Sequence, residues 1–102
     1  MRAEIYLRRE TEYRRDPRHF AHRDGEVEPV GADRVPAVVT DLSRSGCRIV
    51  VDEPLSPESV IWLQVGGHGP FMARVVWYDG VAAGCEFAAK LHSEVIGSLL
   101  EG

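Results

Sequence analysis

Two short segments of this chain combine residue types that can bind an anionic ligand. The first is Arg14-Arg15-Asp16-Pro17-Arg18, in which three guanidinium groups fall within five positions. A proline disfavours helix at this point and holds the residue before it extended. Because a planar guanidinium grips phosphates and guanine edges at two points, this segment can fold onto an anion.

The second segment, residues 41–46 (DLSRSG), lies at the end of a strand-like run. Asp41 and Ser43 bring a carboxylate and a hydroxyl into a tight turn, and Gly46 can adopt a positive φ there. A carboxylate accepts hydrogen bonds from purine N–H groups, whereas arginine binds phosphates or guanine O6 and N7. The two segments therefore offer complementary chemistry for a guanine nucleotide.

Strand-like segments and turn signals alternate at short spacing after Arg34. Asp79-Gly80 is a hairpin signal, and GGHGP at 66–70 is typical of a loop between two strands rather than of a phosphate-binding helix start. Five strands are predicted in this part of the chain, at 35–42, 47–51, 60–65, 71–78 and 84–87.

The two ends of the chain differ from this β-rich centre. Leu91, Val95 and Leu99 recur at i, i+4 and i+8, which predicts a short amphipathic helix over 91–102. Residues 1–34 carry dense charge and few apolar side chains, so we predict an arginine-rich flexible arm and a weak first strand there. One all-β domain is predicted over 1–102, a small barrel (35–90) with a terminal helix.

Composition narrows the class of protein. A chain of 102 residues, 44% hydrophobic and 27% charged, has the size and balance of one soluble domain. No apolar run approaches the ~20 residues of a membrane helix, and no signal peptide begins the chain, so a cytoplasmic location is expected. The net charge of −4 argues against DNA or RNA as a partner.

Cys47 and Cys85 are too far apart for a zinc motif and are predicted to be buried thiols.

Signatures of catalysis are missing from the sequence. There is no HExxH, GxSxG or P-loop motif, and the four histidines are scattered, so we expect neither an enzyme nor a metal or organic cofactor. Trp62 and Trp77 fall within predicted strands, where packing is their usual role, although one of them could line a pocket.

The RRDPR segment, followed 23 residues later by DLSRSG, resembles the RxxxR and D/NxSxxG pair of PilZ domains, the bacterial receptors for cyclic di-GMP. Residues 73–87 (ARVVWYDGVAAGCEF) are similar to a strand pair of the same family. The resemblance implies a six-stranded antiparallel barrel with a C-terminal helix. It departs from the family at residues 19–30 (HFAHRDGEVEPV), where an apolar first strand is usual and this chain is polar.

The resemblance also implies a set of ligand-binding residues, in which the arginines contact phosphates or a guanine Hoogsteen edge and the turn contacts the other guanine. Arg15 would be an auxiliary cation, and Gly46 would let the backbone approach the ligand. Arg8 and Arg9 are alternatives for the role of Arg14. The implied residues are Arg14, Arg15, Arg18, Asp41, Ser43 and Gly46.

Two functions from different classes follow from these features. The first is a second-messenger receptor module in which cyclic di-GMP orders the arginine arm and so creates a surface for a downstream protein. The alternative is a degenerate adaptor of the same fold that binds a protein partner and no nucleotide. The polar first strand favours the adaptor, and the paired motifs favour the receptor.

Overall fold

Six antiparallel strands close into a barrel in the computed structural model, which describes residues 17–101. Around the barrel the strands follow the order β1-β2-β3-β6-β5-β4, so that β4 returns to pair with β1. The predicted six-stranded barrel with a terminal helix is confirmed. In chain order the elements are β1 (His19–Pro29), β2 (Val35–Leu42), β3 (Gly46–Val51), β4 (Val60–Val65), β5 (His68–Tyr78), β6 (Ala82–Phe87) and α1 (Ser93–Glu101).

Alternation along the strands fills the barrel interior. Successive side chains of a strand point to opposite faces, so each strand contributes every second residue to the core. Helix α1 adds Ile96 and Leu99 to the same core. Of the three residues in the predicted i, i+4, i+8 series, Leu99 is buried in the helix, Val95 is partly buried, and Leu91 is buried just before the helix begins. The inward side chains that are fully buried include Val27, Val39, Ile49, Ile61, Leu63 and Val75.

Strand boundaries agree with the sequence prediction where turn residues bound a run of β-prone residues on both sides. The bounds of β2 and β4 are those predicted, whereas β5 begins at His68 instead of Phe71. The reason is a tight hairpin: His68 pairs with Val65, which leaves only Gly66 and Gly67 in the turn, with Gly66 at φ 58°. The loop prediction for this segment is confirmed, and the turn is shorter than expected.

Strand β1 is longer and more extensively paired than its polar composition suggests. It spans eleven residues and pairs with both β2 and β4, with a bulge between Phe20 and Arg23. Its inward positions include Gly25, where a Cβ would lie 2.5 Å from the Gln64 carbonyl oxygen. Because only Val27 supplies a large apolar inward side chain, hydrophobic periodicity underestimates the strand. Residues 1–16 of the predicted arm lie outside the described residues.

The predicted location of the cysteines is confirmed: Cys47 on β3 and Cys85 on β6 are buried, form no disulfide, and are paired across two neighbouring strands. We expect both thiols to react with a thiol reagent only after denaturation, since the closed barrel excludes the reagent. The measurement is a colorimetric thiol count on native and on denatured, unreduced protein. Rapid reaction of the native protein, or no free thiol after denaturation, would contradict this assignment.

Candidate functional site

The turn that joins β2 to β3 is held by its own serine. The Ser43 hydroxyl is fully buried and accepts hydrogen bonds from the backbone N–H groups of Ser45 and Gly46, each at 3.2 Å. The Ser43 N–H in turn donates to the Gly46 carbonyl at 2.9 Å. The hydroxyl thus lies inside the turn, and its observed contribution is to fix the loop that follows Asp41.

Contacts with the C-terminal part of the chain fix the same turn from outside. The backbone N–H of Leu91 donates to the Arg44 carbonyl at 2.8 Å, and the Arg44 Nε donates back to the Leu91 carbonyl at 2.8 Å. The Phe87 N–H donates to the Ser45 carbonyl at 2.9 Å. Because these bonds come from β6 and the segment before α1, the turn is a rigid part of the barrel.

Gly46 has a different structural role from the one expected. The residue does not adopt a positive φ. Instead, a Cβ at this position would overlap the backbone carbonyl oxygen of Cys85 on β6. The glycine is therefore required for the close approach of β3 to β6 at the base of the turn.

Arg18 and Asp41 meet on the outer wall, which brings the two sequence segments together. Arg18 Nε lies 3.2 Å from Asp41 Oδ2, and the Arg18 guanidinium stands 5.6 Å from the centre of the Phe20 ring. Asp41 is only 6% exposed, and its Oδ1 has no hydrogen-bond partner within residues 17–101. Arg14 and Arg15 lie outside the described residues.

Asp41 shares the outer wall with a second cation because of a bulge in β2. The register shifts between Val39 and Asp41, so that Asp41 pairs with Arg48 on β3. The Arg48 Nη1 donates to Thr40 Oγ1 at 3.0 Å. One carboxylate is thus flanked by the guanidinium groups of Arg18 and Arg48, and these three side chains together carry one net positive charge.

A row of outward-facing residues runs around the outside of the barrel at the level of Asp41, and we call it the Asp41 row. It consists of Phe20, Asp41, Arg48, Gly84 and Trp77, one residue from each of β1, β2, β3, β6 and β5. The indole of Trp77 covers Gly84, where a Cβ would overlap the ring. An exposed aromatic ring at one end and a half-buried indole at the other therefore flank the charged centre.

Asp41 is the one member of this row among the site residues predicted from the sequence; Phe20, Arg48, Gly84 and Trp77 are not among them. The signal for Arg48 was available, because a tight turn between 42 and 46 sets a hairpin register that pairs it with Asp41. Trp77 was assigned to packing, with a pocket role left open, and it lies on the outer wall. Phe20 carried no signal, since its position depends on the pairing of β1.

Burial shifts the titration of Asp41. Desolvation raises the pKa of this carboxyl above its ordinary value, and the nearby Arg18 and Arg48 guanidinium groups and the Leu42 N–H oppose the shift. The ionised carboxylate is therefore less stable in the folded protein than in water. A group of this kind is suited to gaining hydrogen-bond donors from a ligand.

We expect the Asp41→Asn variant to unfold at the same or a higher urea concentration than wild type at neutral pH. The folded chain binds the Asp41 proton more tightly than the unfolded chain does, so stability from this group is full below pH 3.8 and declines as pH rises through the raised pKa. The asparagine amide of the variant cannot ionise and escapes that decline. Urea midpoints measured from about pH 4 to about pH 7 test this, and a variant less stable than wild type at neutral pH would contradict the desolvation argument.

Metal-binding clusters and membrane-spanning helices are both absent from the part of the chain that the structure describes. No group of three or more His, Cys, Asp or Glu side chains there could hold a metal ion. No helix within residues 17–101 is long and apolar enough to span a membrane.

The fold and the site together define a class of protein: a small closed antiparallel barrel that carries, on its outer wall, an arginine and an aspartate from two separated motifs. A family model described as PilZ domain matches residues 12–101, a range that includes both motifs. The chain belongs to the PilZ domain family, a family of receptors for cyclic di-GMP. No curated protein matches the chain.

Proposed function

We propose that this protein is a receptor for cyclic di-GMP and that the ligand lies along the Asp41 row. The observation that carries the proposal is the contact between Arg18 Nε and Asp41 Oδ2, 3.2 Å apart. That contact joins the arginine motif to the turn motif on one outward face. A ligand that needs cationic groups as well as a carboxylate acceptor would find the two kinds of group within reach there.

The chemistry of the row matches the chemistry of the ligand. Cyclic di-GMP carries two phosphate charges and two guanines, and the local excess of guanidinium groups over carboxylates favours a dianion. Asp41 would accept hydrogen bonds from a guanine N1–H and N2–H, which would supply a partner for its unpaired Oδ1. Phe20 and Trp77 offer ring faces on which a guanine can stack.

The arginine motif would complete the site from the side of β1. In this proposal Arg14 binds a phosphate or a guanine Hoogsteen edge beside Arg18, with Arg15 as an auxiliary cation. Ser43 and Gly46 act through the turn, which they hold against β6 so that Asp41 keeps its position. The surface formed by the ligand and the arginine motif would then be recognised by a downstream protein.

Isothermal titration with cyclic di-GMP tests the proposal. The receptor hypothesis predicts saturable heat at micromolar or lower ligand concentration, and GTP is the control for an unselective affinity for guanine nucleotides. The adaptor alternative predicts no heat. The polar first strand, which favoured that alternative, closes the barrel by pairing with β2 and β4.

A further inference from the structure

Most of the exposed large hydrophobic side chains in residues 17–101 gather on one side of the barrel. Four of the six, Val30, Val60, Trp62 and Met72, belong to this group, which we call the Trp62 strip. Trp62 is 36% exposed and Met72 is 42% exposed. Exposed apolar residues that occur singly are ordinary, but a contiguous group on one face is typical of an interaction surface.

Strand register shows that the strip is contiguous. Trp62 on β4 pairs with Met72 on β5, and Glu28 on β1 lies on its other side. The next outward row begins at Val30, whose backbone N–H donates to the Val60 carbonyl at 3.2 Å. The four side chains therefore lie side by side, Val60 and Trp62 on β4, Met72 on β5 and Val30 in the turn that follows β1.

Carboxylates surround the strip on both sides. On the β1 side Arg34 lies 3.3 Å from Glu26 and 3.5 Å from Glu28. On the β5 side Arg74 lies 2.8 Å from Glu58 and 2.7 Å from Glu86. Each arginine is shared by two glutamates, so each cluster keeps one net negative charge.

Two pockets beside the strip are likewise lined by apolar side chains and carboxylates. A pocket of about 340 Å³ is lined by Trp62, Gln64 and Pro70 together with the Glu26–Arg34–Glu28 cluster. An indole face beside carboxylates and an amide is the environment that suits an arginine or lysine side chain. At the other end of the strip, Val30 lines a second pocket with Asp33 and Glu53.

We propose that the Trp62 strip is a docking surface for a basic segment of another protein, in which an arginine or lysine lies against Trp62 and flanking apolar side chains pack on Val60 and Met72. An anionic lipid surface is disfavoured by the surrounding carboxylates. A second copy of this chain, joined through the same face, would bring those carboxylates against each other. Charge complementarity therefore selects a cationic partner.

The centres of the strip and of the Asp41 row lie on opposite walls. In the order β1-β2-β3-β6-β5-β4, strand β4 with Trp62 lies across the barrel from β3 with Arg48. The two ends of the row, Phe20 on β1 and Trp77 on β5, lie on the strands next to β4. A partner on the strip would leave the Asp41–Arg48 centre of the row open. The proposal does not depend on cyclic di-GMP binding, and the two surfaces can be tested separately.

Selection from a displayed library of random peptides tests the proposal with a defined probe. Wild-type protein is the bait, and the Trp62→Ser protein is used to remove peptides that bind elsewhere. We expect the surviving peptides to carry more Arg and Lys than Asp and Glu, next to at least one large apolar residue. Acidic or uncharged survivors, or no enrichment over the Trp62→Ser bait, would overturn the proposal.

Affinities of a synthetic survivor peptide then locate the contact. We expect Trp62→Ser and Met72→Ser each to weaken binding, by about tenfold or more for Trp62, which has the larger apolar side chain. Glu28→Gln removes one rim charge and should weaken binding by about threefold. Val81→Ser is the matched control, because Val81 is an exposed apolar residue outside the strip.

Two further readouts keep the result unambiguous. Thermal unfolding and cyclic di-GMP titration of each variant should match wild type, which excludes a folding defect as the cause of weaker peptide binding. Sedimentation velocity tests self-association: a dimer of the wild-type protein that Trp62→Ser abolishes would overturn the proposal in favour of a second copy as the occupant. Equal peptide affinity for wild type and Trp62→Ser would also overturn it.

Discussion

Arg14→Ala, Arg18→Ala and Asp41→Ala are each expected to weaken cyclic di-GMP binding by about five- to more than a hundredfold. Each change removes a charge-assisted or bidentate contact to a phosphate or a guanine edge, and such contacts contribute roughly 1–3 kcal/mol. Arg8→Ala should have a smaller effect, since Arg8 lies outside both motifs and supplies only screened attraction. Isothermal titration of each variant measures the change.

Two comparisons make this prediction specific. Arg34→Ala is the matched control, because Arg34 pairs with Glu26 and Glu28 beside the Trp62 strip, outside the Asp41 row, and should leave cyclic di-GMP affinity unchanged. Raising the salt concentration should weaken wild-type binding more than that of the Arg14→Ala/Arg18→Ala double variant. A double variant that binds as tightly as wild type would show that the motif assignment is wrong.

Gly46→Ala is expected to destabilise the fold by about 1–3 kcal/mol, because the new Cβ would overlap the Cys85 carbonyl oxygen and force β3 away from β6. For a domain of this size, each kcal/mol lowers the Tm by about 4–8 °C. The displacement also moves the turn that holds Asp41, so cyclic di-GMP affinity should fall in the same variant. Thermal unfolding followed by circular dichroism gives the first effect, and calorimetric titration gives the second.

Gly67→Ala is the matched control for this change. Gly67 lies in the β4–β5 turn, does not have a positive φ, and would place its Cβ in open space. We expect its Tm to be equal to or slightly above that of wild type, since alanine restricts the unfolded chain. If Gly46→Ala unfolds at the same temperature as Gly67→Ala, the proposed close approach of β3 to β6 is not required.

Local pattern was sufficient to predict the barrel where a run of β-prone residues is bounded by turn residues. Strands β2 and β4 are runs of this kind, and the predicted bounds of both agree with the observed ones. Strand β1 is not, because an inward glycine and a single valine fill its share of the core. Its length depends on hydrogen bonds to two other strands, β2 and β4, and periodicity in one segment does not contain that information.

In the candidate site, too, some residues could be predicted from local sequence and others depend on strand pairing. Arg18 and Asp41 were selected by residue type and spacing, and they meet in the structure. Arg48 joins them through the register that the β2–β3 turn sets, and Trp77 joins them through the pairing of β5 with β6, whose register a bulge shifts by one residue. The Ser43 hydroxyl accepts hydrogen bonds within the turn, a structural role that residue type alone did not predict.

Both surfaces can be followed in one experiment, because the chain has two tryptophans and each lies in a different surface. Trp77 on β5 is in the Asp41 row, and Trp62 on β4 is in the strip. Their side-chain indole N–H groups give separate resonances in a nitrogen-15 spectrum. Substitution of either tryptophan assigns them.

Addition of cyclic di-GMP to nitrogen-15-labelled protein is therefore the most direct test of the central claim, that the ligand binds along the Asp41 row. The account predicts saturable shifts of the Trp77 indole and of the backbone amides from Asp41 to Gly46, with the Trp62 indole unchanged. A spectrum that does not change at millimolar ligand would contradict cyclic di-GMP binding. Shifts confined to Trp62 and its neighbours would contradict the position of the site.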